Sequence, residues 1–130
     1  KAIGSIDVSF DESCLLGLSL SEKLTLLAIA RLLETSGQPY ASMGEVESTY
    51  RVVCEEYGEE ARRHTQLWKY IRSMTAIGIL TSQTSSDDQK GRTTLVGLAS
   101  TPADATARWL EASLEPLKKL SWRKLSRDRV

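Results

Sequence analysis

Two capping boxes constrain this chain more than any other feature. In each of the pairs Ser19–Glu22 and Ser42–Glu45, a hydroxyl takes an early backbone N–H and a glutamate reaches back to the cap. After Ser19, Leu20, Leu24, Leu27, Ala28 and Leu32 recur at helical spacing, and Leu26, Ile29 and Leu33 add apolar residues off that stripe. A helix apolar on most sides belongs in the middle of a domain. Gly37 and Pro39 end it. After Ser42, Met43, Val46, Tyr50, Val53, Cys54 and Tyr57 share one face until Gly58, and the glutamate-rich opposite face is expected in solvent.

A third helix is predicted from about His64 to Ile77, with Gly78 as its terminator. Leu67, Tyr70, Ile71, Met74 and Ile77 fall on one side of it at about 100° per residue. Thr65, Lys69, Arg72 and Ala76 then take the opposite side, flanked by Gln66, Trp68 and Ser73. Two β-rich runs follow, Ile79 to Thr84 and Thr93 to Leu98, joined by a polar turn from Ser85 to Arg92. Lys90, Gly91 and Arg92 mark the tip of that hairpin.

The last helix opens on Thr101, Pro102 and Asp104 and carries Ala107, Leu110, Leu114 and Leu117 as its stripe. Pro116 is expected to end or kink it. Residues 118–130 form a basic tail with six bases and one acid, read either as more helix or as a frayed end. Residues 1–18 read as a linker or the end of a preceding domain, and the opening Lys1 fits a piece of a longer polypeptide. The resulting order is three helices, a hairpin and a helix. That is a mainly α fold with a β-hairpin, a winged helix-turn-helix over residues 19–117.

Net charge is zero, which alone argues against a polyanion partner, but the distribution reverses that. Residues 41–60 carry six acids against one base, whereas residues 61–80 carry Arg62, Arg63, Lys69 and Arg72 and no acid. Local potential, not net charge, steers a polyanion. The candidate recognition-helix residues for double-stranded DNA are Arg62, Arg63, His64, Thr65, Gln66, Lys69, Arg72 and Ser73. In the wing they are Lys90, Gly91, Arg92 and Thr93. Each has a plain alternative as solvated surface. His64 is equally a capping residue, and Trp68 reads first as core packing.

Catalytic readings find little support. His64 is the sole histidine, and no glycine-rich phosphate loop or HExxH appears. Cys14 and Cys54 are too few for a structural zinc site and read as reduced, buried thiols of an intracellular protein. No metal and no cofactor is expected for this chain, no signal peptide opens it, and no apolar run is long enough to cross a bilayer.

Several motifs resemble one family. Glu22-Lys23-Leu24, Gly44-Glu45-Val46, Tyr50, Cys54-Glu55-Glu56 and Gly58 resemble the opening of its domain. Met74, Ile77, Gly78 and Ile79 resemble the exit from its third helix, and Gly91, Arg92, Thr93 and Leu98 resemble its wing. The family is the C-terminal winged-helix domain of archaeal replication initiators related to the origin recognition complex and its helicase-loading partner. The resemblance covers about residues 19–98. It implies origin-duplex binding, with the third helix in the major groove and the wing toward the minor groove. It also implies a preceding AAA+ ATPase module that holds ATP and magnesium, a role in helicase loading, and a cytoplasmic, nucleoid-associated location. The replicative helicase or other initiator subunits would be its protein partners, and the domain itself is expected to be monomeric. Two departures stand out. Ser85-Ser86-Asp87-Asp88-Gln89 stands where the family often has a further Gly and Arg, and the ATPase motifs are absent from these residues. Two other readings stay open: a dimeric winged-helix transcription regulator, and a protein-interaction module without nucleic acid.

Overall fold

The computed structural model describes residues 15–87, 91–99 and 101–128, with side-chain surroundings over 15–84, 94–99 and 101–116. Helix α1 spans Leu20–Ser36 and buries Leu24, Thr25, Leu26, Leu27, Ala28, Ile29, Ala30 and Leu33. Apolar residues on most of its sides thus do what the sequence expects: α1 packs against every other helix and two strands. Both capping boxes form. Glu22 N–H donates to Ser19 Oγ at 3.3 Å and Ser19 N–H donates to Glu22 Oε1 at 2.9 Å. Glu45 N–H and Ser42 Oγ repeat the pattern at the start of α2, Met43–Glu56.

Helix α3 spans His64–Ala76 and begins on Arg63, with no side-chain cap. Leu67, Ile71 and Met74 are fully buried beneath it. Each such side chain contributes about 1.5–3 kcal/mol on removal from water. The expected stripe breaks at its end: Ile77 is 53% exposed. The helix has stopped by then, and Ile77 sits at the cap before Gly78 turns the chain with φ 92°. Ile79 and Leu80 re-enter the core.

Preceding α2, strand β1 is only Ala41–Ser42, while β2 covers Leu80–Asp87 and β3 covers Gly91–Leu98. They form an antiparallel sheet in the order β1-β3-β2, with Ala41 opposite Val96 and Leu80 opposite Leu98. Two features depart from expectation. The hairpin strands run on through Asp87 and Gly91, so the expected turn over residues 85–92 is largely ladder: pairing satisfies backbone groups that weak local strand propensity leaves undecided. The third strand, β1, pairs residues more than fifty positions apart, which no local pattern announces.

Helix α4 spans Ala103–Asp128 and contains Pro116, so the proline does not end it. Ala112, which loses its bonding partner, and Pro116 are both exposed, so water can take the freed carbonyl. Ala107, Leu110 and Leu114 seat α4 on α1. Leu15 and Leu18 are also buried, so the packed unit reaches back to Leu15. The glutamate face of α2 is not wholly in solvent. Glu56 forms a two-point bond with Arg31 of α1 at 2.7 and 3.1 Å, and Arg31 also reaches Glu111 of α4 at 2.9 Å. Cys54 is buried and free, whereas Cys14 lies outside the described residues. Among the described residues no helix is long and apolar enough to cross a membrane.

Candidate nucleic-acid interface

The site begins with the turn between α2 and α3, because that turn aims everything after it. Tyr50 of α2 is 1% exposed, and its hydroxyl accepts the Arg62 N–H at 3.1 Å. A buried side chain of one helix thereby fixes the backbone on which the next helix starts. Burial pushes the Tyr50 phenol up to about 12, although the Arg62 N–H works the other way by favouring the phenolate. The neighbouring Cys54 thiol is pushed up by burial as well.

From that fixed turn α3 divides cleanly. Leu67, Ile71 and Met74 face inward, while Arg62, Arg63, His64, Thr65, Gln66, Lys69, Arg72 and Ser73 are all exposed. The structure therefore brings every recognition-helix candidate onto one continuous outer surface. No acid occurs in α3 itself, and its first turn has none to repel an anion from the free N–H groups there. An open groove of about 790 Å³ lies at its start, lined by Arg62, Arg63, Thr65 and Gln66, with Glu60 on one side and Tyr70 in the wall.

Three residues enter the site from outside the expected set. Trp68 is half-buried against the core, as its packing reading requires, yet its ring also meets solvent-side partners. The guanidinium of Arg72 lies 5.7 Å from the indole centroid. The His64 ring meets the indole edge-on, with centroids 6.4 Å apart and planes at 87°. Glu47 of α2 then holds His64: its Oε2 accepts the Nδ1–H at 2.8 Å. His64 is thus engaged by a carboxylate rather than turned freely outward. The spacing of His64, Trp68 and Arg72, four residues apart, carried the signal for these ring contacts; Glu47 and Tyr50 had none, being on another helix.

The expected wing residues sit differently. Lys90 lies outside the described residues, and Gly91, Arg92 and Thr93 are described as backbone only, in the first positions of β3. Their strand partners are Asp87, Ser86 and Ser85.

This arrangement of a braced helix with a polar, acid-free outer face, followed by a hairpin, has known counterparts. The family model described as CDC6, C terminal winged helix domain, matches residues 13–108. The chain belongs to that family. This winged helix domain is 39% identical over 82 residues to the ORC1-type DNA replication protein 2 of Sulfurisphaera tokodaii, covering 63% of this chain and 20% of that protein. In structure it is similar to Cdc6p from Pyrobaculum aerophilum, with a TM-score of 0.65, 41% identity, and coverage of 85% of this chain and 26% of that one. It is also similar to the ORC1 protein of Aeropyrum pernix, solved in complex with DNA, with a TM-score of 0.62, 30% identity, and coverage of 73% and 24%. The chain thus spans about a fifth to a quarter of these relatives. It is a winged helix domain of the Cdc6/ORC1 type of replication initiator.

Proposed function

We propose that this domain binds duplex DNA, with α3 in the major groove, and that it serves origin recognition in an initiator protein. The observation that carries the reading is the outer face of α3. Thr65, Gln66, Lys69, Arg72 and Ser73 are exposed there together, Arg62 and Arg63 stand at its start, and no acid interrupts the helix. The major groove is wide enough for a helix, and arginine, lysine, glutamine and threonine are the residue types that meet base edges and phosphates there. The Aeropyrum pernix relative solved in complex with DNA supports it. In this reading Lys90, Gly91, Arg92 and Thr93 reach the backbone or the neighbouring minor groove, weakened by Asp87 and Asp88 close by in sequence.

In a whole initiator, nucleotide chemistry belongs to the AAA+ module, where ATP and magnesium are held. We assign this domain no cofactor and no catalytic step, and place it with the nucleoid. Its contribution to helicase loading is to hold the initiator on origin duplex, as a monomeric unit beside the helicase or other initiator subunits.

Fluorescence anisotropy tests the reading. The domain is titrated against origin-like and scrambled duplexes at several salt concentrations, as wild type and as Lys69→Ala/Arg72→Ala. Log affinity is expected to fall with log salt at a slope of about −3 to −6, and the double variant flattens it by about 1–2. A preference for the origin duplex supports the initiator role. No binding to either duplex at low salt overturns it and favours a protein-interaction module, which Glu47 and Glu60 beside the basic face suit better than they suit DNA.

A further inference from the structure

His64, Trp68 and Arg72 form a column along α3, fastened at the His64 end and seated on the core at its middle. At one end the His64 Nδ1–H is held by Glu47 of α2 at 2.8 Å. In the middle the Trp68 indole rests on the core and meets the His64 ring edge-on. At the other end the Arg72 guanidinium lies over the indole at 5.7 Å. A guanidinium held over an indole by cation–π attraction spends none of its N–H donors on a hydrogen bond to the ring, and its N–H edge remains available. That edge is the donor fork that matches the O6 and N7 acceptors of guanine in the major groove. Most arginines must be ordered when they bind; contact with the indole narrows the range of this one in advance, which reduces what is lost on binding. Among the described residues, neither Lys69 nor Arg63 has an aromatic ring beneath it.

Resting on the duplex-binding reading above, we propose that Arg72 determines specificity by reading a guanine. In the same scheme Trp68 is its positioning residue, and Glu47 acts through His64 to hold the indole. The remaining basic residues of α3 then supply attraction to phosphates without sequence preference.

The test compares a duplex selected by the wild-type domain from a randomised pool with a scrambled duplex, and repeats the selected duplex with 7-deazaguanine in place of each guanine in turn. Variants are R72K, W68A, W68F and E47Q. The wild type is expected to lose about tenfold in affinity at one 7-deazaguanine position, where N7 is missing. In R72K the charge remains but the planar fork is gone, so the selected-to-scrambled ratio falls about tenfold and the response to 7-deazaguanine weakens, because an ammonium reaches N7 without the two-point geometry. W68A follows R72K in both readouts, W68F and E47Q lie between, and circular dichroism checks the fold of each. Where W68A fails to fold, R72K and W68F decide. A wild type that responds to 7-deazaguanine at no position overturns the guanine assignment, and an R72K protein that keeps both the full ratio and the full response overturns the role of the planar fork. A folded W68A protein that keeps them overturns the positioning role. A wild type that binds duplexes with no sequence preference overturns this inference and leaves duplex binding standing, whereas one that binds no duplex overturns the functional reading beneath it too.

Discussion

Tyr50 joins the core to the site through a single oxygen. Its ring fills the space under α2, while its hydroxyl takes the N–H of Arg62 at 3.1 Å, so the first basic residue of the site is set by a residue twelve positions earlier. Removing only that oxygen, as Tyr50→Phe, leaves the Arg62 N–H without its acceptor and is expected to cost about 1–2 kcal/mol in urea denaturation. The same phenol has a pH signature. Burial raises it from 10.0 to about 12, and a group raised on folding contributes its stability fully below its unfolded value and loses it through the folded one. Stability should therefore decline as pH climbs from about 10 to about 12, with the buried Cys54 thiol adding a loss of the same sign at the low end. Urea midpoints between pH 9 and 12 check this, and Tyr50→Phe should flatten most of the decline. An unchanged slope in that variant would assign the decline to other groups.

At the scale of elements, the sheet shows how a close backbone approach specifies a residue. Gly97 on β3 is paired with Thr81 of β2. A Cβ added there would lie 2.5 Å from the Pro39 carbonyl oxygen and 2.8 Å from the Tyr40 ring. The loop that leads into β1 is laid against β3 at this point, so a side chain at position 97 forces the loop or the strand to shift. Gly97→Ala is expected to destabilise the domain by about 2 kcal/mol or more, because the obstruction is backbone and not the end of a flexible side chain. Thermal denaturation measures it; a loss below about 0.5 kcal/mol would show that the loop moves aside easily. Helix α4 makes a contrasting point. Pro116 breaks a local rule without ending its helix, because the face that loses a hydrogen bond is turned to water.

Across the whole molecule, α1 is the common support, and among the described residues Arg31 is the charged residue through which it ties two other helices. Its guanidinium bonds Glu56 of α2 and Glu111 of α4, and both carboxylates favour its charged form, Glu56 most. The group is only half-buried, with side-chain exposures of 26% for Arg31, 25% for Glu56 and 39% for Glu111, so solvent screens part of the attraction. Arg31→Ala is expected to cost about 1–2 kcal/mol, less in high salt, and Glu56→Gln more than Glu111→Gln. Denaturation series at low and high salt distinguish this from lost packing, which salt leaves nearly unchanged. The network lies on helices other than α3, so these variants should leave the shape of the basic face intact.

Local sequence determined the elements and the chemistry of the outer face. Capping boxes at Ser19 and Ser42, the stripe of Leu67, Ile71 and Met74, and the acid-free stretch that holds Lys69 and Arg72 all depend on residues within a few positions of one another, where spacing alone dictates which face is buried. Contacts between distant residues were decided by tertiary structure. Ala41 paired with Val96, Glu47 holding His64, Tyr50 holding Arg62, and Arg31 between two helices each join segments that only the packed core brings together. The exposure of Ile77 and the persistence of α4 through Pro116 belong to the same class, because whether an apolar residue is covered or a lost hydrogen bond matters depends on what lies on the other side of it.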